Sequence, residues 1–208
     1  PTFEPAHPRL QLARPSAGKS RPLPAARCFD LEQQASSFGT AVHAAFELIE
    51  WLAPHSDLEA AGKDDRLLDL NDATTTPAEP QPHAPAVRDT LTACLAKPEI
   101  QALFTEPKTP CTVWRERAFS IVAGDQFTNG VFDRVVIYQD AKQHITRAEI
   151  IDFKTDRIHT NNSIEQATEQ HRPQLEAYRD SLSKIIGLDA SAIDLKLLFT
   201  DVCELMTL

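Results

Sequence analysis

The segment Ile150-Ile151-Asp152-Phe153-Lys154-Thr155-Asp156 constrains this chain most. It sets an acid and a lysine two residues apart inside an apolar, β-branched run. Side chains alternate faces along a strand. Asp152 and Lys154 therefore share one face, and Ile151 and Phe153 take the other. Two charges on a mostly apolar strand need a reason, because burying a charge is costly. One reason is chemical: a carboxylate that holds a hard divalent cation beside an ammonium that faces water or a phosphate. The other is an edge strand whose polar face is wet.

The rest of the chain sorts into elements around this segment. Phe38, Val42, Ala45, Phe46, Ile49 and Leu52 recur at helical spacing, which predicts a helix over 36–53, with Ser36 or Ser37 as cap and Pro54 just beyond it. Residues 84–104 read as one or two helices interrupted near Pro98. Strands are expected over about 111–121, 126–138 and 145–154, with turn signals at Gly124-Asp125 and around Asp140. Residues 162–187 read as helical, with Pro173 starting the main helix or kinking it. Ile193, Leu195, Leu197 and Phe199 alternate as a further strand. Two stretches lack periodicity. Residues 1–34 are rich in Pro, Ala and Arg and read as an extended linker, and the non-Met start suggests a piece of a longer protein. Residues 55–83 read as a mobile insertion in a domain spanning 35–208.

Bulk properties exclude several classes. No apolar run is long enough for a membrane span, and no leader-like apolar segment opens the chain. Cys28, Cys94, Cys111 and Cys203 form no C-x-x-C pair, so they read as scattered reduced thiols of a cytoplasmic protein rather than as a zinc or iron–sulfur site. A net charge of −9 argues against a free-standing basic nucleic-acid binder. It is compatible with carboxylates gathered around cations.

Further polar residues stand where apolar ones are expected. Asp133 lies in Gly130-Val131-Phe132-Asp133-Arg134. By strict alternation it shares a face with Val131, Val135 and Ile137, as a metal-binding carboxylate or as a buried acid satisfied by Arg134 or an amide. His43 follows Gly39 by one helical turn, on a side shared with Glu47 and Glu50 and off the apolar stripe. Gly39 would let another backbone or a ligand approach. A solvent-facing histidine paired with Glu47 is the plainer reading. Gln174 and Tyr178 lie on one helical face, able to bond a phosphate or a base edge or simply forming a polar surface. Glu116, sharing a face with Trp114 and Ala118 by alternation, is an acid that stands behind the site's ligands or an ion-pair partner of a neighbouring strand.

In chain order these residues read G-x-x-x-H, an isolated E, G-x-x-D, D-x-K and Q-x-x-x-Y. The set resembles the RecB-type nuclease family of the PD-(D/E)xK superfamily, and most of all the C-terminal nuclease domain of RecB- and AddA-like helicase–nucleases. The likeness runs from about Phe38 to Phe199. It implies an α/β, restriction-endonuclease-like core: a central mixed sheet flanked by helices, in the order α-β-β-β-α-β. It implies a Mg²⁺- or Mn²⁺-dependent deoxyribonuclease with His43, Asp133, Asp152 and the carbonyl of Phe153 on the metal. Asp133, Asp152 and Lys154 would be catalytic, Gln174 and Tyr178 would lie against DNA, and Glu116 would stand behind them. The implied partners are DNA, preferably single-stranded, an upstream helicase domain and a partner subunit, in DNA end processing and repair. A stand-alone restriction-like or repair nuclease fits the same fold, as does an inactive domain that only binds DNA ends. The insertion at 55–83 is foreign to the family core, and neither the cysteines of iron–sulfur members nor a Walker A motif is present.

Overall fold

The computed structural model describes residues 11–13, 38–52, 83–123, 126–158 and 163–208. In chain order these give strand β1 (Gln11–Ala13), helix α1 (38–47), α2 (Ala84–Leu95), α3 (Pro98–Leu103), β2 (Cys111–Ala123), β3 (Gln126–Gln139), β4 (Ile145–Lys154), α4 (Ile164–Ile186), β5 (Ile193–Phe199) and β6 (Glu204–Thr207). From α1 through β5 the order is that of a restriction-endonuclease-like core, α-β-β-β-α-β, with an extra helix pair after α1. The cap at Ser36 or Ser37, Pro54, the turn at Gly124-Asp125 and nearly all of the insertion lie outside the described residues. Among the described residues no helix is long and apolar enough to cross a membrane.

The sheet is mixed. β3 pairs antiparallel with β2 and β4, β5 runs parallel to β4, and β6 is antiparallel to β5. β6 and the short parallel β1, which lies beside the start of β3, are additions to the expected strands. A parallel β4–β5 pair needs a crossover, and α4 supplies it. Its ends are well specified. Ser163 and Gln166 form a capping box at the start, and Gly187 takes the left-handed conformation (φ 67°) at the end. Pro173 sits inside this helix rather than starting it.

Each face of the sheet carries its own core. α1, α2 and α3 cover one face, packing Val42, Phe46, Leu91, Leu95, Ile100 and Phe104 against Val136, Ile151 and Phe153. α4 covers the other, packing Leu175, Tyr178 and Leu182 against Phe132, Val135, Ile137, Ile150 and Leu197. Ile151 and Phe153 on one face and Ile150 on the other confirm the alternation expected for β4.

Helix α1 ends at residue 47, earlier than the periodicity suggests, although Ile49 still packs in the core. Two arginines explain the stop. Arg115 donates to the carbonyls of Glu47 (2.8 Å) and Leu48 (3.4 Å), and Arg134 to those of Ile49 (2.8 Å) and Glu50 (2.7 Å). Cations that satisfy the last carbonyls replace further helical turns and suit the negative end of the helix dipole. The Arg134 guanidinium is buried between the rings of Trp51 and Phe104, each 4.8 Å away.

Candidate active site

The β3–β4 ladder stops at the pair Arg134–Ile151. The next pair in register would be Asp133 and Asp152, so the two carboxylates stand at the fork where the strands part. There the backbone N–H of Phe153, which would otherwise be unpaired, donates to Asp133 Oδ2 at 2.7 Å. The N–H and C=O of one strand residue face the same neighbour. The Phe153 carbonyl therefore lies on the Asp133 side as well.

Asp133 does not lie where strict alternation puts it. Val135 and Ile137 belong to the α4 face, whereas Asp133 meets His43 of α1. The cause is a paired irregularity. Between Arg115–Arg134 and Arg117–Phe132 the β2–β3 ladder skips Glu116 and Asp133, and Glu116 has φ 44°. Arg115 and Glu116 thus both reach α1, as do Asp133 and Arg134, after which alternation resumes in the opposite phase. Glu116 accordingly parts from Trp114, which packs on the α4 face. A non-glycine residue with positive φ costs about 1 kcal/mol or more and persists only where its surroundings impose it.

His43 Nδ1 lies 3.5 Å from Asp133 Oδ1 and 3.8 Å from Glu116 Oε1. The ring stands edge-on to Phe153, which stacks with Phe46 and Phe104. Gly39, one turn earlier on α1, is where the helix meets the end of β4: a Cβ there would lie 2.8 Å from Thr155 Oγ1. What approaches this glycine is the Thr155 side chain, rather than the backbone or ligand expected.

On the other face of β4, Lys154 Nζ lies 2.5 Å from Asp152 Oδ2. Lys154 also donates to Gln174 Oε1 (3.1 Å), and Gln174 Nε2 donates to Asp152 Oδ1 (3.3 Å). Gln174 thus bridges acid and lysine. Tyr178, one turn on, is buried edge-on against Phe119 and Phe132. Gly130 makes room for it, since a Cβ there would lie 3.0 Å from the Tyr178 ring.

The electrostatics are those of a site short of positive charge. Burial disfavours the His43 imidazolium, but hydrogen bonding to Asp133 and Glu116 outweighs it, and the pKa is pushed up to about 10. Burial, aided by the charge of Asp133, raises the Asp152 carboxyl to about 6 against the pull of Lys154 and His43. Two carboxylate oxygens, Glu116 Oε1 and Asp152 Oδ2, are buried without a hydrogen-bond partner. The Asp152 oxygen is held instead by its close ion pair with Lys154, which pulls the carboxyl down. His43, Glu116 and Asp133 present ligand atoms that all lie within 4.8 Å of one another. One imidazole, carboxylate oxygens and an adjacent backbone carbonyl are a donor set suited to Mg²⁺ or Mn²⁺, with the imidazole favouring Mn²⁺.

The structure therefore gathers His43, Glu116, Asp133, Asp152, Phe153, Lys154 and Gln174 at one fork, with Tyr178 just behind. Glu116 stands as close to His43 as a ligand would, rather than behind the site. Its displaced backbone carries no sequence signal, since no Gly, Asn or Pro marks it. No curated protein matches the chain. A family model does match, over residues 18–204. That match covers nearly the whole chain, which belongs to the PD-(D/E)XK nuclease superfamily.

Proposed function

We propose that this domain is a divalent-metal-dependent deoxyribonuclease that hydrolyses phosphodiester bonds at the β3–β4 fork. One observation carries the reading. Asp133 and Glu116 close on His43 with ligand atoms within 4.8 Å of one another, Asp152 adds its negative charge from the adjoining strand, and buried oxygens of Glu116 and Asp152 accept no hydrogen bond. Such a cluster is costly unless a cation offsets it. In this reading His43, Asp133, Asp152 and the Phe153 carbonyl hold Mg²⁺ or Mn²⁺, and Glu116 joins them through the oxygen that now faces His43. A bound ion supplies an acidified water and a polarised phosphoryl oxygen.

The chain's own groups do the rest. Lys154 orients the attacking water and offsets charge that develops on the phosphoryl oxygens. Gln174 fixes the Lys154 ammonium by its 3.1 Å bond and stops Asp152 from rotating. Tyr178 backs this arrangement and, with Gln174, borders the path of the DNA.

The resemblance to RecB- and AddA-like proteins supports a role beside a helicase in DNA end processing. Charge supports that context. DNA affinity depends on neutralising phosphates, and this chain carries −9. A motor and partner subunit that thread a strand past the fork would replace affinity with local concentration. A stand-alone nuclease would need basic surface of its own.

The test combines Mn²⁺ calorimetry with cleavage of labelled single- and double-stranded oligonucleotides at two salt concentrations. Wild type binds Mn²⁺ and cuts single strands slowly and in a salt-sensitive manner, and duplex more slowly still. Lys154→Ala binds Mn²⁺ within about threefold of wild type but cuts on the order of 10²–10³-fold more slowly. Equal loss of binding and cleavage in Lys154→Ala would make it a ligand. Rapid cutting of blunt duplex at physiological salt would favour the stand-alone enzyme.

A further inference from the structure

We propose that Cys94 and Cys203 form a thiol–disulfide site, which a low-molecular-weight disulfide closes into a strap between α2 and the turn that follows β5. The two residues are 109 apart in sequence, yet their sulfurs lie 3.1 Å apart. A disulfide is ~2.05 Å long, so closure asks for about 1 Å of movement. Both sulfurs also point at one acceptor, the Thr200 carbonyl, at 3.7 Å each.

The elements that carry them are already docked. One turn beyond Cys94, Lys97 Nζ bonds Glu204 Oε1 at 2.7 Å. The two contacts join the end of α2 and the residue that caps α3 to the adjacent residues Cys203 and Glu204, where the turn passes into β6. Cys203 itself has φ 51°, a conformation that glycine or asparagine would adopt more readily. Here that conformation aims the thiol at Cys94.

Exposure divides the labour. Cys94 is fully buried and Cys203 partly exposed. Burial, with Cys203 beside it, also holds the Cys94 thiol above its usual range. Cys203 therefore meets the reagent RSSR first. Its sulfur bonds to one sulfur of the reagent, the reagent's S–S bond breaks, and RSH leaves with the Cys203 proton. Cys94 then attacks the Cys203 sulfur and expels the second RSH, which takes the Cys94 proton. The balance is two protein thiols and RSSR giving one protein disulfide and two RSH.

Closure reaches the strand that carries the D-x-K segment. The Thr200 N–H and hydroxyl donate to the Lys154 carbonyl at 2.9 and 3.2 Å. The disulfide withdraws both thiol donors from Thr200 and ties its turn to α2. Both effects are read without any assay of cleavage.

The experiment treats the full chain with oxidised glutathione and follows it by non-reducing peptide mapping, thermal melting and amide exchange. Wild type gains a Cys94–Cys203 link that dithiothreitol reverses. Its Tm rises by about 5–10 °C, as a long closed loop predicts. Exchange of the Thr200 amide slows about tenfold. Cys94→Ser and Cys203→Ser show neither change. A map that joins Cys28 or Cys111 instead, or a glutathione adduct on Cys203 that never resolves in wild type, would overturn the site. A link that forms without slowing exchange at Thr200 would overturn its transmission to β4.

Discussion

Strand β4 carries two buried acids three residues apart, about 10 Å along the strand and on opposite faces. Their surroundings are opposites. Glu149 is satisfied at every turn: Arg147 donates to it at 2.6 Å, Lys196 at 2.8 Å and the Tyr138 hydroxyl at 3.2 Å. Asp152 stands at an open fork beside Asp133, has one oxygen held by the Lys154 ammonium without a hydrogen bond, and has its carboxyl raised to about 6. Both are acids flanked by lysine and by strands. One is a finished structural network, and the other is complete only with something added. A buried acid is therefore informative through what its oxygens lack, not through its burial.

Removing each acid should separate the two roles most sharply. Asp152→Asn is expected to lower cleavage on the order of 10³-fold and to weaken Mn²⁺ binding. Without ion its fold should change little, because relief of a carboxylate crowded by Asp133 offsets the lost Lys154 ion pair. Glu149→Gln should do the reverse. It removes the charge that Lys196 and Arg147 share and turns one accepting oxygen into an amide donor, which destabilises the fold by about 1–3 kcal/mol, with cleavage at low temperature unchanged within about twofold. Urea unfolding alongside the oligonucleotide assay reads both. If Asp152→Asn destabilised the ion-free fold as much as Glu149→Gln, the contrast would fail.

A smaller effect should come from Glu116, which joins the unfinished cluster only through a strained backbone. Glu116→Gln keeps the shape and removes the charge. Mn²⁺ affinity should fall about tenfold, in the range of lost metal-supporting groups. Glu116→Gly should gain backbone ease at φ 44° yet lose the same affinity. Calorimetry on the two variants distinguishes a ligand from an ion-pair acid. Unchanged Mn²⁺ affinity in both would return Glu116 to a purely structural role.

The same contrast explains what the sequence disclosed. Asp152 and Lys154 were legible because β4 keeps its period of two, and Ile150, Ile151 and Phe153 fall on their expected faces. Glu149 drew no notice, because its partners Lys196 and Tyr138 come from other strands. Asp133 and Glu116 stand out as residues in the sequence, but strict alternation puts them on the wrong face. Their positions follow from the skipped pair in the β2–β3 ladder, a distortion that no local residue type marks and that sits beside the bonds from Arg115 of β2 and Arg134 of β3 to the end of α1. The early end of α1 was hidden for the same reason: Ile49 and Leu52 remain apolar, but tertiary hydrogen bonds from Arg115 and Arg134 stop the helix.

The last expected effect is a pH dependence of the unfinished cluster. Folding raises His43 from 6.5 to about 10. Its contribution is fully present below pH 6.5 and is lost as pH rises towards 10. Folding also raises Asp152, from 3.8 to about 6, so the folded state binds the extra proton between those values and loses that advantage above pH 6. Both groups act in the same direction. The ion-free protein should therefore lose stability steadily from about pH 4 to pH 10 as these two sites deprotonate. Mn²⁺ competes with the His43 proton, so it should raise Tm more at pH 8.5 than at pH 6. His43→Gln should flatten the alkaline limb of the ion-free curve, whereas Glu149→Gln should leave its shape unchanged. A Mn²⁺-induced rise in Tm that is independent of pH, or an alkaline limb that survives in His43→Gln, would show that the cation and the proton do not share His43.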